Sequence, residues 1–332
     1  MNKHFQLDRR SCLGSALALG LTPALRTARI SAQPARPPVA PDEFKRRLRG
    51  PIVSIPTPFT ADSKVDHQGV RTMIRRALDH SIEIFCLTAG DSQFSFLSYE
   101  EIKELTRVVA EAVGDKGMTI AGTGPWWTDR AIDFARHAES VGVTAVMVLL
   151  PPGGDEDGLF MHYQQIACRT RLPIVLHGNY PTPLLQRLLK IDSIAALKED
   201  VSEHYFVETA IHFGQRLNCF SGGSYEYFVV AQPYGATAYF DTYSTFAPEI
   251  SVRFWKAVQA NDYAAEREII EKYDHPLIYH EFSHPFWHAT LEYFGVAGRY
   301  MRAPQHTYTN DEMKKVKAFF DERGLYPEKP SA

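Results

Sequence analysis

Eight short apolar runs recur along the chain between residues 51 and 240, and longer amphipathic stretches separate them. Each run is apolar throughout, which is typical of parallel strands that are buried on both faces. Eight strands that are each followed by a helix predict an α/β fold, the (β/α)8 TIM barrel. A doubly wound open sheet would show the same alternation, so the number of strands favours the barrel only weakly. The predicted strands span residues 52–56, 84–87, 118–122, 145–150, 174–177, 194–198, 217–220 and 236–240.

The helix-like stretches continue well beyond the eighth strand. The chain has 332 residues, 45% of them hydrophobic, which is enough to bury a large core in one domain. We therefore assign residues 51–247 to the barrel and residues 248–325 to a C-terminal helical extension. Within the barrel the predicted helices span residues 66–79, 98–113, 128–141, 159–170, 183–190 and 203–213.

The N-terminus has the pattern of an export signal. Arg9 and Arg10 precede a mildly apolar stretch at residues 12–25. This stretch is shorter than the roughly 20 residues that a membrane span needs. We expect residues 1–32 to be a twin-arginine signal and residues 33–50 a linker, which would place the processed protein in the periplasm and not in the membrane. The alternative is a disordered tail on a cytoplasmic protein.

Charge and metal-ligand patterns exclude two classes of partner. The formal net charge is −3, with 36 basic and 39 acidic residues spread along the chain, so no nucleic acid partner is expected. One segment, from His280 to His284, fits the H-E-x-x-H pattern of zinc proteases. That pattern needs one continuous helix, but Pro285 follows directly and disfavours helical dihedrals at His284. We expect one helix to end near Ser283 and the next to begin at Pro285, and we expect no metal.

A lysine ends the sixth predicted strand. Active sites of parallel barrels lie at the C-terminal ends of the strands, which draws attention to Lys198. An amine that emerges from an apolar strand loses hydration, and this favours the neutral form that attacks carbonyl groups. The alternative is a structural ion pair between Lys198 and Glu199 or Asp200.

Other strands end in groups that could assist such an amine. The turn after strand two contains Thr88, Ala89, Gly90 and Asp91, whose hydroxyl and backbone N–H groups suit a substrate carboxylate. Strand five ends at His177, a candidate proton carrier, although a histidine at a strand end is often structural.

Two tryptophans follow the third strand. Trp126 and Trp127 come after the Gly-Thr-Gly turn at residues 122–124. They could line a pocket wall, and simple packing of one of them is an equal alternative.

These residues stand in the order that one enzyme family shows. From about residue 51 to 304 the chain resembles the dihydrodipicolinate synthase / N-acetylneuraminate lyase family of class I, Schiff-base aldolases. Each motif alone is weak, but their order and spacing together are specific. The matching motifs are Thr57-Pro58-Phe59, Leu87-Thr88-Ala89-Gly90-Asp91, Gly122-Thr123-Gly124, Leu197-Lys198-Glu199 and Ser221-Gly222-Gly223.

The resemblance implies a mechanism and an assembly. It implies that Lys198 forms a Schiff base with a 2-oxo acid, and that the 88–91 turn and Gly222 bind substrate. Beyond the resemblance, we expect His177 to be catalytic, as the carrier of the proton that a family tyrosine would otherwise move. No organic cofactor is implied, because the lysine iminium is itself the electron sink. Barrels of this family are usually tetramers, so a homo-oligomer is expected.

Several departures from the family pattern narrow the function. The family places a tyrosine where His177 stands, and it has Pro-Tyr-Tyr where this chain has Leu150-Pro151-Pro152. Ala89 replaces a threonine, and the arginine that grips a second carboxylate has no match after Pro181. We therefore expect an aldolase-type lyase other than dihydrodipicolinate synthase. The alternatives are a hydro-lyase that acts on a deoxy sugar acid and a non-catalytic barrel that binds an oxo acid.

Overall fold

A computed structural model describes residues 38–199 and 202–327. Its eight parallel strands pair in sequence order and close into a barrel, because the first strand pairs with both the second and the eighth. This confirms the predicted TIM barrel. The strands are β1 (Gly50–Ser54), β2 (Ile84–Leu87), β3 (Met118–Gly122), β4 (Ala145–Leu149), β5 (Ile174–His177), β6 (Ile194–Glu199), β7 (Asn218–Ser221) and β8 (Ala238–Asp241).

Helices follow the strands and surround the barrel. Several begin at a side-chain cap. Ser98 and Glu101 form a capping box at the start of the helix that begins at Tyr99, and the Asp155 side chain accepts from the Gly158 N–H at the start of the helix that begins at Glu156. The helices that surround the strands are α2 (His67–Asp79), α3 (Tyr99–Val113), α4 (Thr128–Ser140), α5 (Glu156–Arg169), α6 (Thr182–Leu188), α7 (Glu203–Phe213) and α8 (Tyr225–Ala231).

The ends of some elements differ from the sequence-based prediction. The first strand ends at Ser54 because its pairing ends there, although the apolar run continues into the buried Ile55 and Pro56. Helix α5 begins three residues earlier than predicted, at Glu156, because Asp155 supplies the cap. The apolar runs therefore predicted which residues are buried, and predicted the ends of strand pairing only approximately.

A short helix precedes the barrel, α1 (Pro41–Arg47). Phe44 and Leu48 are fully buried and pack with Ile52 and Met118 of the barrel interior, so this helix closes the end opposite the candidate site. The prediction of a linker over residues 33–50 needs correction for its second half, because the burial of these two side chains orders it. Residues 1–37, which include the predicted signal, lie outside the described residues.

The C-terminal extension packs onto the helical layer of the barrel. Phe246 and Phe294 contact Phe320 at ring-centroid distances of 5.6 and 4.9 Å. The extension consists of α9 (Pro248–Ala260), α10 (Tyr263–Ile269), the π-helical turns Ile270–Asp274 and Pro276–Glu281, α11 (His284–Tyr293) and α12 (Met313–Glu322). None of the helices in the described ranges is long and apolar enough to cross a membrane.

The zinc-protease pattern spans two helices. The π-helical turn ends at Glu281, and the Ser283 hydroxyl caps α11 by accepting from the Phe286 N–H, with Pro285 in the first turn. The two histidines of the pattern therefore do not share a helix. Among residues 38–199 and 202–327, no group of three or more His, Cys, Asp or Glu side chains is arranged to hold a metal ion.

Candidate active site

Lys198 points into the barrel. Alternate residues of a strand face the same side, and Ala196 packs in the interior cluster whereas Leu197 packs against the helices. Lys198 therefore shares the interior face with Ala196. Its side chain is 3% exposed, and its Nζ lies 4.6 Å from the ring centroid of Phe240. The strand delivers the amine to the C-terminal end of an apolar lumen.

His177 is the neighbour of Lys198 on the next strand. The register of β5 and β6 pairs these two residues, and the Nζ of Lys198 lies 3.3 Å from the Nε2 of His177. His177 is 9% exposed, at the buried edge of the lumen. An imidazole within hydrogen-bond distance of an amine can exchange protons with groups that the amine binds.

Glu199 occupies the opposite face of the same strand. Its carboxylate is fully buried and accepts hydrogen bonds from the Tyr227 hydroxyl at 2.6 Å and from the Ser202 N–H at 3.1 Å. Strand alternation therefore directs this carboxylate toward the helical layer while Lys198 enters the lumen. Asp200, the other residue considered for an ion pair, lies outside the described residues.

The turn after β2 is held by a compact set of hydrogen bonds. The Thr88 N–H donates to the Ser92 Oγ at 3.0 Å, and the Ser92 hydroxyl donates to the Ile55 carbonyl at 2.6 Å. The Asp91 N–H donates to the Thr88 Oγ1 at 3.1 Å. The Thr88 hydroxyl accepts this bond, and a hydroxyl that accepts one bond can still donate its own proton to another group.

Two backbone donors of this turn remain available. Within the described part of the chain, the N–H groups of Ala89 and Gly90 have no acceptor. Gly90 is exposed, and no atom lies within 4 Å of the point where a Cβ would stand. Adjacent unpaired N–H groups in a turn form an anion-binding concavity. The arrangement suits a carboxylate.

The amine and the turn lie at the same end of the lumen. Cys86 lies on β2, two residues before Thr88, and belongs to the interior cluster. Burial is the main cause that raises the pKa of the Cys86 thiol, and Lys198 and Asp91 both lie close enough to influence it as well. The amine and the turn therefore both lie near this one thiol. Asp91 also accepts a hydrogen bond from the Ser54 hydroxyl at the end of β1.

The other predicted site residues are more dispersed. Gly222 follows β7, is buried, and donates its N–H to the Glu199 carbonyl at 2.9 Å. Trp126 packs among aromatic side chains, with ring centroids 5.3 Å from those of both Tyr99 and Phe134. Trp127 is 63% exposed. Packing, the alternative to a pocket wall, is what the structure shows for Trp126.

Two buried tyrosines lie close to strand five but outside the lumen. The hydroxyls of Tyr163 and Tyr180 are 2.5 Å apart, and the Tyr180 hydroxyl lies 3.3 Å from the His177 carbonyl. Both rings pack in the cluster between barrel and helices. They therefore do not place a phenol in the lumen.

The sequence reasoning missed three residues of the site. Ser54 anchors Asp91, Ser92 holds the turn, and Phe240 forms the apolar floor beside the amine. Strand alternation could have found Ser54 and Phe240, because each lies two residues beyond an interior residue, Ile52 and Ala238. The role of Ser92 depends on a turn geometry that no spacing predicts.

Comparison with known proteins assigns the family. The model of the dihydrodipicolinate synthetase family matches residues 47–323, which is most of the chain. The chain belongs to this family. The resemblance inferred from the motifs is thereby confirmed.

Proteins similar to this chain are named for more than one activity. The 4-hydroxy-tetrahydrodipicolinate synthase of Moorella thermoacetica is 34% identical over 157 residues, 45% of this chain and 54% of that protein. The probable 5-dehydro-4-deoxyglucarate dehydratase 2 of Streptomyces coelicolor is 27% identical over 247 residues, 70% of this chain and 76% of that protein. The chain spans about half the length of the first of these relatives.

Solved structures agree on the fold. The dihydrodipicolinate synthase of Bacillus clausii superposes with a TM-score of 0.74 at 20% identity, covering 85% of this chain and 100% of that chain. The N-acetylneuraminate lyase of Mycoplasma synoviae gives a TM-score of 0.74 at 21% identity, and the match covers 83% of this chain and 98% of that chain. At these identities the likeness concerns the barrel and its extension.

Proposed function

We propose that this protein is a lyase that binds a 2-oxo acid as a Schiff base on Lys198. The observation that carries the proposal is the position of the Lys198 amine, buried at the C-terminal end of the lumen and 3.3 Å from the Nε2 of His177. Family membership supports it, because relatives in this family are named as synthases, lyases and dehydratases.

The reaction begins with attack of the neutral amine on the ketone carbon of the substrate. The carbonyl oxygen leaves as water, and the resulting iminium carries a positive charge next to the carbon chain. A base removes the proton of the hydroxyl group on the β-carbon, the bond between the α- and β-carbons breaks, and its electrons move into the iminium, which leaves an enamine and a separate carbonyl fragment. Protonation of the enamine and hydrolysis return the free amine of Lys198 and a 2-oxo acid.

The surrounding groups have distinct tasks in this scheme. The Thr88 hydroxyl and the N–H groups of Ala89 and Gly90 bind the substrate carboxylate. His177 carries the proton that the family tyrosine would otherwise carry, since an imidazole titrates close to neutral pH. Phe240 lines the lumen beside the amine and keeps water from it.

Borohydride trapping tests the Schiff base. Wild-type protein is incubated with a panel of 2-oxo acids and borohydride and is then analysed by intact mass spectrometry. We expect a gain equal to the mass of the acid less one oxygen atom, and loss of that gain in Lys198→Ala. Lys190→Ala is the matched control, because that lysine is exposed at the surface. Failure of the wild type to form an adduct with any 2-oxo acid would contradict the proposal.

His177 is tested by separating adduct formation from turnover. His177→Gln should slow turnover more than it slows formation of the trapped adduct, because the imidazole acts after the amine has attacked. An equal loss of both would show that His177 is structural.

A second candidate reaction is favoured by the dehydratase relative, which covers 70% of this chain. In that reaction the iminium loses a proton from its α-carbon to give an enamine, and the enamine then expels the protonated hydroxyl group of the β-carbon as water instead of a C–C bond breaking. Product analysis separates the two, because only the aldolase yields two carbon fragments. An adduct that forms without any product would instead indicate a non-catalytic oxo-acid-binding barrel.

Export and assembly complete the proposal. The paired arginines and the short apolar stretch near the N-terminus support export through a twin-arginine signal. N-terminal sequencing of protein from a periplasmic fraction tests it, with cleavage expected near Ala32. A homo-oligomer is tested by light scattering of the processed protein.

A further inference from the structure

A segment of the C-terminal extension lies across the loops that follow β1 and β2. We name residues 300–305 the C-terminal strap. Tyr300 forms an antiparallel bridge with Phe59, and the Arg302 guanidinium stacks 4.8 Å from the ring centroid of Phe59. Arg302 also donates to the Ser63 carbonyl at 2.9 Å and to the Phe96 carbonyl at 2.6 Å. The strap therefore joins both loops at the C-terminal end of the barrel.

Gln93 is the point where the strap reaches the turn after β2. The Nε2 of Gln93 donates to the Oε1 of Gln305 at 2.8 Å, and its Oε1 lies 2.9 Å from the Nε2 of His288. Gln93 is 2% exposed and His288 is fully buried. The amide of Gln93 is thus held between the strap and helix α11.

The backbone of Gln93 needs such support. Its φ of 55° lies in the left-handed region, which side chains other than glycine rarely adopt. Its N–H donates to the Gly90 carbonyl at 2.8 Å. It directly follows Ser92, whose hydroxyl accepts from the Thr88 N–H. A shift of Gln93 would therefore be transmitted to Gly90 and Thr88.

We infer that Gln305 is a positioning residue for substrate binding, because it fixes the 88–91 turn through the amide of Gln93. The inference rests on the proposed function, in which that turn binds the carboxylate of the 2-oxo acid. Gln305 acts only through Gln93 and is not a catalytic residue. Affinity for the oxo acid then depends on the strap, whereas the reactivity of Lys198 does not.

Three variants test the inference. Gln305→Met keeps the length of the side chain and removes the acceptor. Gln305→Glu keeps an oxygen that accepts from the Nε2 of Gln93. Gln259→Met is the matched control, on an exposed position of α9. Thermal unfolding of all three is recorded, so that a general loss of stability can be recognised.

Two readouts are measured on each variant. The first is hydrogen–deuterium exchange of the amides at residues 88–93, which does not depend on activity. The second is the pyruvate concentration that gives half-maximal borohydride adduct. In Gln305→Met we expect faster exchange in the turn and a half-maximal concentration raised about five-fold, the effect of roughly one net hydrogen bond. Maximal trapping should be unchanged, and Gln305→Glu should behave like the wild type.

The outcomes separate this inference from the proposed function. Unchanged exchange at residues 88–93 in Gln305→Met would overturn the inference. So would faster exchange with an unchanged half-maximal concentration, and so would an equal defect in Gln305→Glu. Failure of the wild type to form any adduct with 2-oxo acids would overturn the proposed function, while the exchange measurement would still decide whether Gln305 holds the turn.

Discussion

The buried carboxyl of Asp241 predicts a measurable pH dependence of the unfolding free energy. It ends β8 and is 1% exposed. Its Oδ1 accepts from the Tyr225 hydroxyl at 2.9 Å and from the Ser244 N–H at 3.3 Å. Its Oδ2 is buried, and a hydrogen bond from the Ser251 side chain to this carboxyl lowers the pKa of Asp241 in part. A proton on that oxygen would remove a buried negative charge.

Burial raises the pKa of Asp241 from 3.8 to about 6, although hydrogen bonds to its carboxylate lower it in part. A folded-state pKa above the unfolded-state value means that the folded protein binds the proton more tightly. The resulting stabilisation is fully present below pH 3.8 and is lost as the pH rises through about 6. This pKa difference corresponds to roughly 3 kcal/mol.

Asp241→Asn removes this pH dependence while preserving the shape of the side chain. Its amide oxygen can accept the two hydrogen bonds of Oδ1, and its NH2 group takes the place of the protonated oxygen. We therefore expect the variant to gain up to about 3 kcal/mol of unfolding free energy relative to the wild type between pH 4 and pH 8.

Urea unfolding measured by tryptophan fluorescence across this pH range is the assay. Asp192→Asn is the control, because Asp192 is exposed in the turn before β6. The difference between the Asp241 variant and the wild type should change with pH, and the difference for the control should not. A difference that stays constant from pH 4 to pH 8 would refute the assignment of a buried proton to Asp241.

Two further predictions concern contacts around the site. Tyr227→Phe removes a 2.6 Å hydrogen bond to the buried Glu199 carboxylate, so its unfolding free energy in urea should fall by about 2 kcal/mol. Tyr234→Phe is the control, at a position 52% exposed, and should change the unfolding free energy little. Similar losses of unfolding free energy in the two variants would contradict the role of the Tyr227 hydroxyl. The hydrogen bond from Arg302 lowers the pKa of Glu101 from 4.5 to about 2. The stabilisation of the folded protein by this ion pair is therefore present above pH 4.5 and is lost as the pH falls toward 2. Arg302→Gln should therefore lower the urea midpoint more at pH 7 than at pH 3, and an equal loss at both would exclude the ion pair as the cause.

The barrel could be predicted because its signal is local and repeated. Strands buried on both faces must be apolar along their whole length, and β2, β3 and β5 begin and end where their apolar runs do. The predicted end of a strand was wrong where burial continues beyond the last paired residue, as at Ile55. Helix α1 was missed because seven residues with one buried side chain give no measurable periodicity.

The candidate site was predictable residue by residue but not as an arrangement. The active sites of parallel barrels lie at the C-terminal ends of the strands, and this rule selected Lys198, His177 and the turn at residues 88–91. It could not show that the amine and the imidazole lie 3.3 Å apart, since that distance depends on the register of β5 and β6. It also could not show that Gln93 meets Gln305, which is 212 positions away in the sequence.

The sequence by itself determined the class of fold and the side chains available for chemistry, because burial patterns and strand ends are properties of consecutive residues. Only the tertiary structure decided which of those side chains meet. Closure of the barrel directed Lys198 inward and Glu199 outward, and the return of the C-terminal strap to the β2 turn brought distant residues together. Such contacts depend on strand register and chain topology, and no window of neighbouring residues encodes either.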